Sequence, residues 1–194
     1  MKENLSEITK YIQIARENHK KGNIYQANEI YKKLINQKIY TYELLISYGL
    51  FCKEINNLKI AKNLLILSIK KYPSKINSYI LLAEILRKEN QVNDALKTLY
   101  AAKKIEKLNP DIYYNLSISY KTIKSFREAI LSIDSAIKLQ PKNQIYQILK
   151  ADILVEFLKN EEAKKLLDNL KLPKDSNLYF CLLYTSDAAD ETER

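Results

Sequence analysis

Apolar positions along this chain fall at spacings of three and four, in stretches of about fourteen residues separated by short polar runs. Between residues 76 and 109, Tyr79, Leu82 and Leu86 share one face of a predicted helix. Glu89-Asn90-Gln91 interrupts the period, and Val92, Ala95, Leu99 and Ala102 resume it. This helix–turn–helix pattern recurs at a fixed length. Ala27, Ala61, Ala95, Ala129 and Ala163 stand 34 residues apart, with no slippage across five copies. A second small column, Ala15, Gly49, Ala83, Ser117 and Ala151, keeps the same interval, as does the large apolar column Tyr31, Leu65, Leu99, Ile133 and Leu167.

Small residues at fixed positions on both helices of a pair mark where the two backbones approach most closely. A bulkier side chain there costs about 1–3 kcal/mol, because the helices must separate. One pair cannot bury its own apolar face, so neighbouring pairs must stack. The fold class expected is therefore all-α: a solenoid of stacked antiparallel helix pairs. Taking Ile8 as the first position gives a lead-in of residues 1–7 and repeats at 8–41, 42–75, 76–109, 110–143 and 144–177. Pro73 and Pro141 fall late in their repeats, where a proline ends a helix and redirects the chain.

The fourth repeat carries Tyr113, Leu116-Ser117, Tyr120, Phe126, Ala129, Ile133, Ala136 and Pro141, and the second keeps Leu45, Gly49, Leu58, Ala61, Leu65 and Pro73. These series resemble the tetratricopeptide repeat, over about residues 8–177. The first and fifth repeats depart further, with Gln147, Lys150 and Asn160 at positions the pattern makes apolar. The resemblance implies a right-handed superhelix whose first helices line a concave groove for a peptide or protein segment.

Two columns on the outward face of the first helices are the candidate lining. Ile12, Ile46, Ile80, Tyr114 and Ile148 form an apolar row. Seven residues on, two turns along the same face, stand His19, Lys53, Arg87 and Lys121, with Val155 in the fifth repeat. Such rows suit a partner carrying both apolar anchors and carboxylates. Packing between helices and the helix dipole explain the same rows without a ligand. Exchanging Lys53 and Arg87 for glutamate is expected to weaken capture without lowering the melting temperature. Two specialised grooves of the family are not supported. The carboxylate clamp fails at Ile12, Arg16, Ser47, Asn77 and Leu81, and the asparagine ladder finds one asparagine among Gln13, Ser47, Leu81, Asn115 and Leu149.

Composition narrows the chemistry. Among 194 residues are two glycines, which leaves no phosphate-cradling loop or dinucleotide fingerprint, and one histidine, which cannot make a zinc site alone. With two cysteines there is neither a disulfide framework nor a thiolate metal cluster, and Cys52 falls in a core column. The net charge of +9 invites nucleic acid, but the lysines spread over most faces and the tyrosines lie mostly in core columns. No segment is apolar for long enough to span a membrane, and the first residues carry no signal core. The expectation is a cytoplasmic, non-enzymatic interaction scaffold with a protein or peptide partner, no cofactor, no metal and no membrane insertion. The alternative is the N-terminal repeat region of a longer enzyme, of glycosyltransferase or sulfotransferase type.

At Cys181 the composition changes abruptly, and Cys181–Glu191 resembles a translated sequencing-library adapter. Residues 181–194 are therefore expected to be a non-native tail, and 178–180 the opening of a truncated sixth repeat. Leu166, Leu167 and Leu170 would then face that missing neighbour.

Overall fold

The computed structural model describes residues 5–170, and every element in that span is helical. The expected sixth-repeat opening and the adapter-like tail lie outside the described residues. Ten helices occur among them: α1 (Leu5–Lys20), α2 (Ile24–Asn36), α3 (Tyr42–Glu54), α4 (Leu58–Lys71), α5 (Ile76–Lys88), α6 (Val92–Ile105), α7 (Pro110–Thr122), α8 (Phe126–Leu139), α9 (Gln144–Glu156) and α10 (Asn160–Leu170). From α3 onward, first helices open at Tyr42, Ile76, Pro110 and Gln144, and second helices from α2 onward at Ile24, Leu58, Val92, Phe126 and Asn160. Both series keep the 34-residue interval. The first helix, α1, opens earlier than Ile8, at Leu5.

The turn inside each repeat has one backbone solution. Gly22, Asn56, Asn90, Lys124 and Leu158 all take positive φ, between 57° and 80°. The next residue sends its N–H back five positions: Asn23 to Asn18, Asn57 to Cys52, Gln91 to Leu86, Ser125 to Tyr120 and Lys159 to Leu154. This left-handed closure satisfies carbonyls that the helix end would leave open. Glycine and asparagine suit that conformation; lysine and leucine enter it at a cost. Asparagines serve the other ends: Asn57, Asn109 and Asn143 accept from the N–H groups of Ile60, Asp111 and Ile145, as Thr41 does from Leu44.

The chain divides into two compact units, 1–91 and 92–194, so the boundary falls inside the third repeat. In the N-terminal unit α1 packs on α2 and α3, α3 on α4 and α5, and α4 on α5. In the C-terminal unit the contacts run α6 to α7, α7 to α8, α8 to α9 and α9 to α10. Both small columns are buried in all five repeats: Ala15, Gly49, Ala83, Ser117 and Ala151 on the first helices, and Ala27, Ala61, Ala95, Ala129 and Ala163 on the second. Their close approach is visible twice. A Cβ added at Gly49 would sit 3.2 Å from Leu65 Cδ2 on the facing helix. The Ser117 hydroxyl donates to the Ala129 carbonyl at 2.9 Å, joining the two small columns directly.

Candidate functional site

The N-terminal unit carries an open cavity of about 480 Å³ against α1, α2 and α3. Ile46, Leu50 and Phe51 of α3 form its apolar side, with Leu50 37% exposed. Arg16 and Lys20 of α1 supply its cationic side, with His19 of the same helix and the Glu54 carboxylate of α3 beside them. One helix contributes both Arg16 and His19 because they are three residues apart, on adjacent turns of one face. Arg16 is held in place: its Nη2 donates to Ser47 Oγ at 2.6 Å and its Nη1 lies 3.3 Å from Glu43. His19 Nε2 lies 3.2 Å from Glu54, and its ring meets Phe51 edge-on at 4.9 Å. Lys20 is exposed and makes no ion pair among the described residues.

Tyr31 of α2 also lines the cavity while keeping only 1% of its surface exposed. Its ring stacks on Tyr48 at 5.0 Å. Burial pushes the Tyr31 phenol up to about 12, against the pull of the Arg16 charge, so it remains a hydrogen-bond donor at neutral pH. Cys52, one turn beyond Tyr48, is fully buried, and burial pushes its thiol up to about 12. A thiol so placed is a core group, in keeping with its column, and not a nucleophile.

The cationic row has a second role that its column does not disclose. Lys53 Nζ lies 2.5 Å from Glu84, and Lys121 pairs with both Asp152 and Glu156, at 2.5 and 2.8 Å. Each acid belongs to the first helix of the following repeat, where stacked helices bring the twelfth position against the ninth and thirteenth. His19 with Glu54 follows the same rule. Burial works against the Lys121 charge, but hydrogen bonds and charge from Asp152 and Glu156 outweigh it and hold the ammonium above its usual value. Arg87 is half-buried and engaged as well.

No family model matches the chain. The human Protein O-mannosyl-transferase TMTC3 is 30% identical over 121 residues, which cover 59% of this chain and 13% of that protein. Solved structures agree in fold at lower identity. A tetratricopeptide repeat protein from Parabacteroides merdae superposes with a TM-score of 0.80 at 14% identity, over 98% of this chain and 75% of that one. PilF from Pseudomonas aeruginosa gives 0.76 at 14% identity, over 96% and 86%. MamA from Desulfovibrio magneticus gives 0.71 at 18% identity, over 84% and 92%.

The chain has the tetratricopeptide-repeat fold. Within it, the expected lining residues divide. Ile46 and His19 meet in the N-terminal cavity, while Ile80, Tyr114 and Ile148 are half-buried. Ile12 does not line a groove: it is 0% exposed, a core residue, because α1 turns that position onto α2 and α3. Lys53 and Lys121 are not open cations but struts between repeats, so the glutamate exchange at Lys53 would set two carboxylates face to face and reduce stability. Reading by column missed Arg16 as a lining group, Lys20, Leu50 and, above all, Tyr31.

A second cavity, of about 230 Å³, lies in the C-terminal unit among α6, α7 and α8. Tyr100 and Tyr120 share a hydrogen bond of 2.7 Å between their hydroxyls there, and Lys103 Nζ sits 4.8 Å from the Tyr113 ring centre. Among the described residues no cluster of three or more His, Cys, Asp or Glu is placed to hold a metal, and no helix is long and apolar enough to cross a membrane.

Proposed function

We propose that this chain is a protein-interaction scaffold that holds a peptide or protein segment against the first-helix face of its N-terminal unit. The observation carrying it is the cavity where Ile46 and Leu50 face Arg16 and Lys20. A partner segment of matching chemistry carries an aliphatic side chain beside a carboxylate. The aliphatic group covers apolar surface at Leu50, worth about 25 cal/mol per Å² removed from water. The carboxylate answers Lys20 and Arg16 and speeds encounter. Lys20 supports the choice of this unit, since it is an exposed cation at the cavity that makes no ion pair among the described residues.

The test is a library of short peptides in which one leucine and one glutamate are set at every spacing, screened against the full chain. Leu50→Asp and Lys20→Glu alter exposed side chains, and each is expected to reduce binding at least tenfold with the melting temperature unchanged. Leu131→Asp, on α8 and 69% exposed, is the control and should bind as the wild type does. Equal binding by all three variants would remove the proposal. The match to TMTC3 also accommodates a repeat region joined to an enzyme, and the coding sequence of the intact gene separates that reading from a free-standing scaffold.

A further inference from the structure

Tyr31 stands in a column whose other members are Leu65, Leu99, Ile133 and Leu167, all fully buried. Packing at that position therefore needs bulk and no polar atom. The first repeat nevertheless places a phenol there, stacked on Tyr48 and tilted against Phe51 at 5.4 Å. Its hydroxyl has no hydrogen-bond partner among the described residues, although the side chain is 99% buried by its 1% exposure. Tyr31 is also one of the residues that line the N-terminal cavity.

We infer that the Tyr31 hydroxyl is a specificity-determining donor, which meets the side-chain carboxylate of a glutamate carried by the bound segment. This rests on the groove reading above and deepens it. A buried donor with nothing to donate to is costly unless water or a ligand answers it. The phenol stays protonated at neutral pH, so it can only be matched by an acceptor, and an ionised acceptor makes the stronger bond. Arg16 and Glu54 act on the phenol with opposite sign, and the two cations Arg16 and Lys20 outnumber the single carboxylate Glu54 in the cavity lining, which favours an anion over a neutral carbonyl. The apolar side formed by Ile46 and Leu50 suits the methylene stem that brings such a carboxylate in. No other repeat has a hydroxyl in this column, so the device belongs to the first repeat alone.

The probe is isocaproate, a carboxylate on a leucine-sized stem, titrated into the full chain with ring-labelled tyrosine and compared with isocaproamide. Isocaproate should shift the Tyr31 ring signals and saturate, and the amide should bind at least fivefold more weakly. Tyr31→Phe keeps the ring and should lose about fivefold to tenfold in isocaproate affinity while melting no lower than the wild type, since one hydrogen bond to a charged group is removed. Tyr31→Leu, the residue the other repeats use, should show the same loss and guards against a fault peculiar to phenylalanine. Equal isocaproate affinity in wild type and both variants overturns the inference, and so does an amide that binds as well as the acid. If leucine–glutamate peptides still bind while Tyr31→Phe changes nothing, the groove stands and this role for Tyr31 falls.

Discussion

The two compact units build the same repeat with different residues at a few positions. In the C-terminal unit the large apolar column holds Ile133 and Leu167, and Lys121 is clasped by Asp152 and Glu156. In the N-terminal unit the same column begins with Tyr31, Lys20 is unclasped, and Leu50 stands 37% exposed beside a cavity. The packing columns do not differ: Ala27 and Ala61 in one unit are as fully buried as Ala129 and Ala163 in the other. The packing columns are common to every repeat, and the proposed site lies where one repeat departs from the shared pattern at a few positions.

If that division is right, the largest effects should be alike in both units. Ala27→Leu and Ala129→Leu should each lower the unfolding free energy by about 1–3 kcal/mol in chemical denaturation, because both overfill a helix–helix contact. A loss in one unit only would mean the columns are not equivalent. Next come the left-handed turns, where the units differ. Gly22 has φ +80° and nothing within 4 Å of an added Cβ, so Gly22→Ala meets only backbone strain and should cost about 1 kcal/mol. Leu158 has φ 60° with its side chain 78% exposed, so Leu158→Gly should gain about 1 kcal/mol in the same assay. The opposite signs at equivalent positions are the test.

The smallest stability effect belongs to the ion pairs. Lys121→Met should cost no more than about 1 kcal/mol, because Asp152 and Glu156 are partly exposed and solvent screens the pairs. The pH dependence has a definite sign. The folded state raises the Lys121 pKa above 10.5, so it binds its proton more tightly than the unfolded chain does. The stabilisation is fully present below the unfolded value and is lost as pH rises through the folded one. The difference between wild type and Lys121→Met should therefore shrink in strongly alkaline denaturation curves and hold constant around neutrality.

Much of the fold was legible in the residues alone. Five alanines at one interval and two companion columns require helix pairs of constant length, and the second helices open at that interval from Ile24 to Asn160. The left-handed turn was hidden because its column reads Gly22, Asn56, Asn90, Lys124, Leu158, and the last two residue types argue against the conformation they adopt. The struts were hidden for a different reason. Lys53 and Glu84 are 31 residues apart, a separation invisible to periodicity within one helix and obvious once first helices stack on one another. Tyr31 was graded by bulk, so its hydroxyl went unread in an otherwise aliphatic column. Ile12 is fully buried although Ile46, Ile80 and Ile148 in the same column are half-buried, a difference that periodicity does not carry.

The most direct test of the binding face is a chemical-shift map of the full chain, with isoleucine, leucine and aromatic side chains labelled, titrated with the best leucine–glutamate peptide. The expected result is a single cluster of perturbed signals at Tyr31, Ile46, Leu50 and Phe51, saturating together. Shifts centred instead on Tyr100, Tyr113 and Leu131 would contradict the account, because they would place the partner on the second-helix cavity of the C-terminal unit.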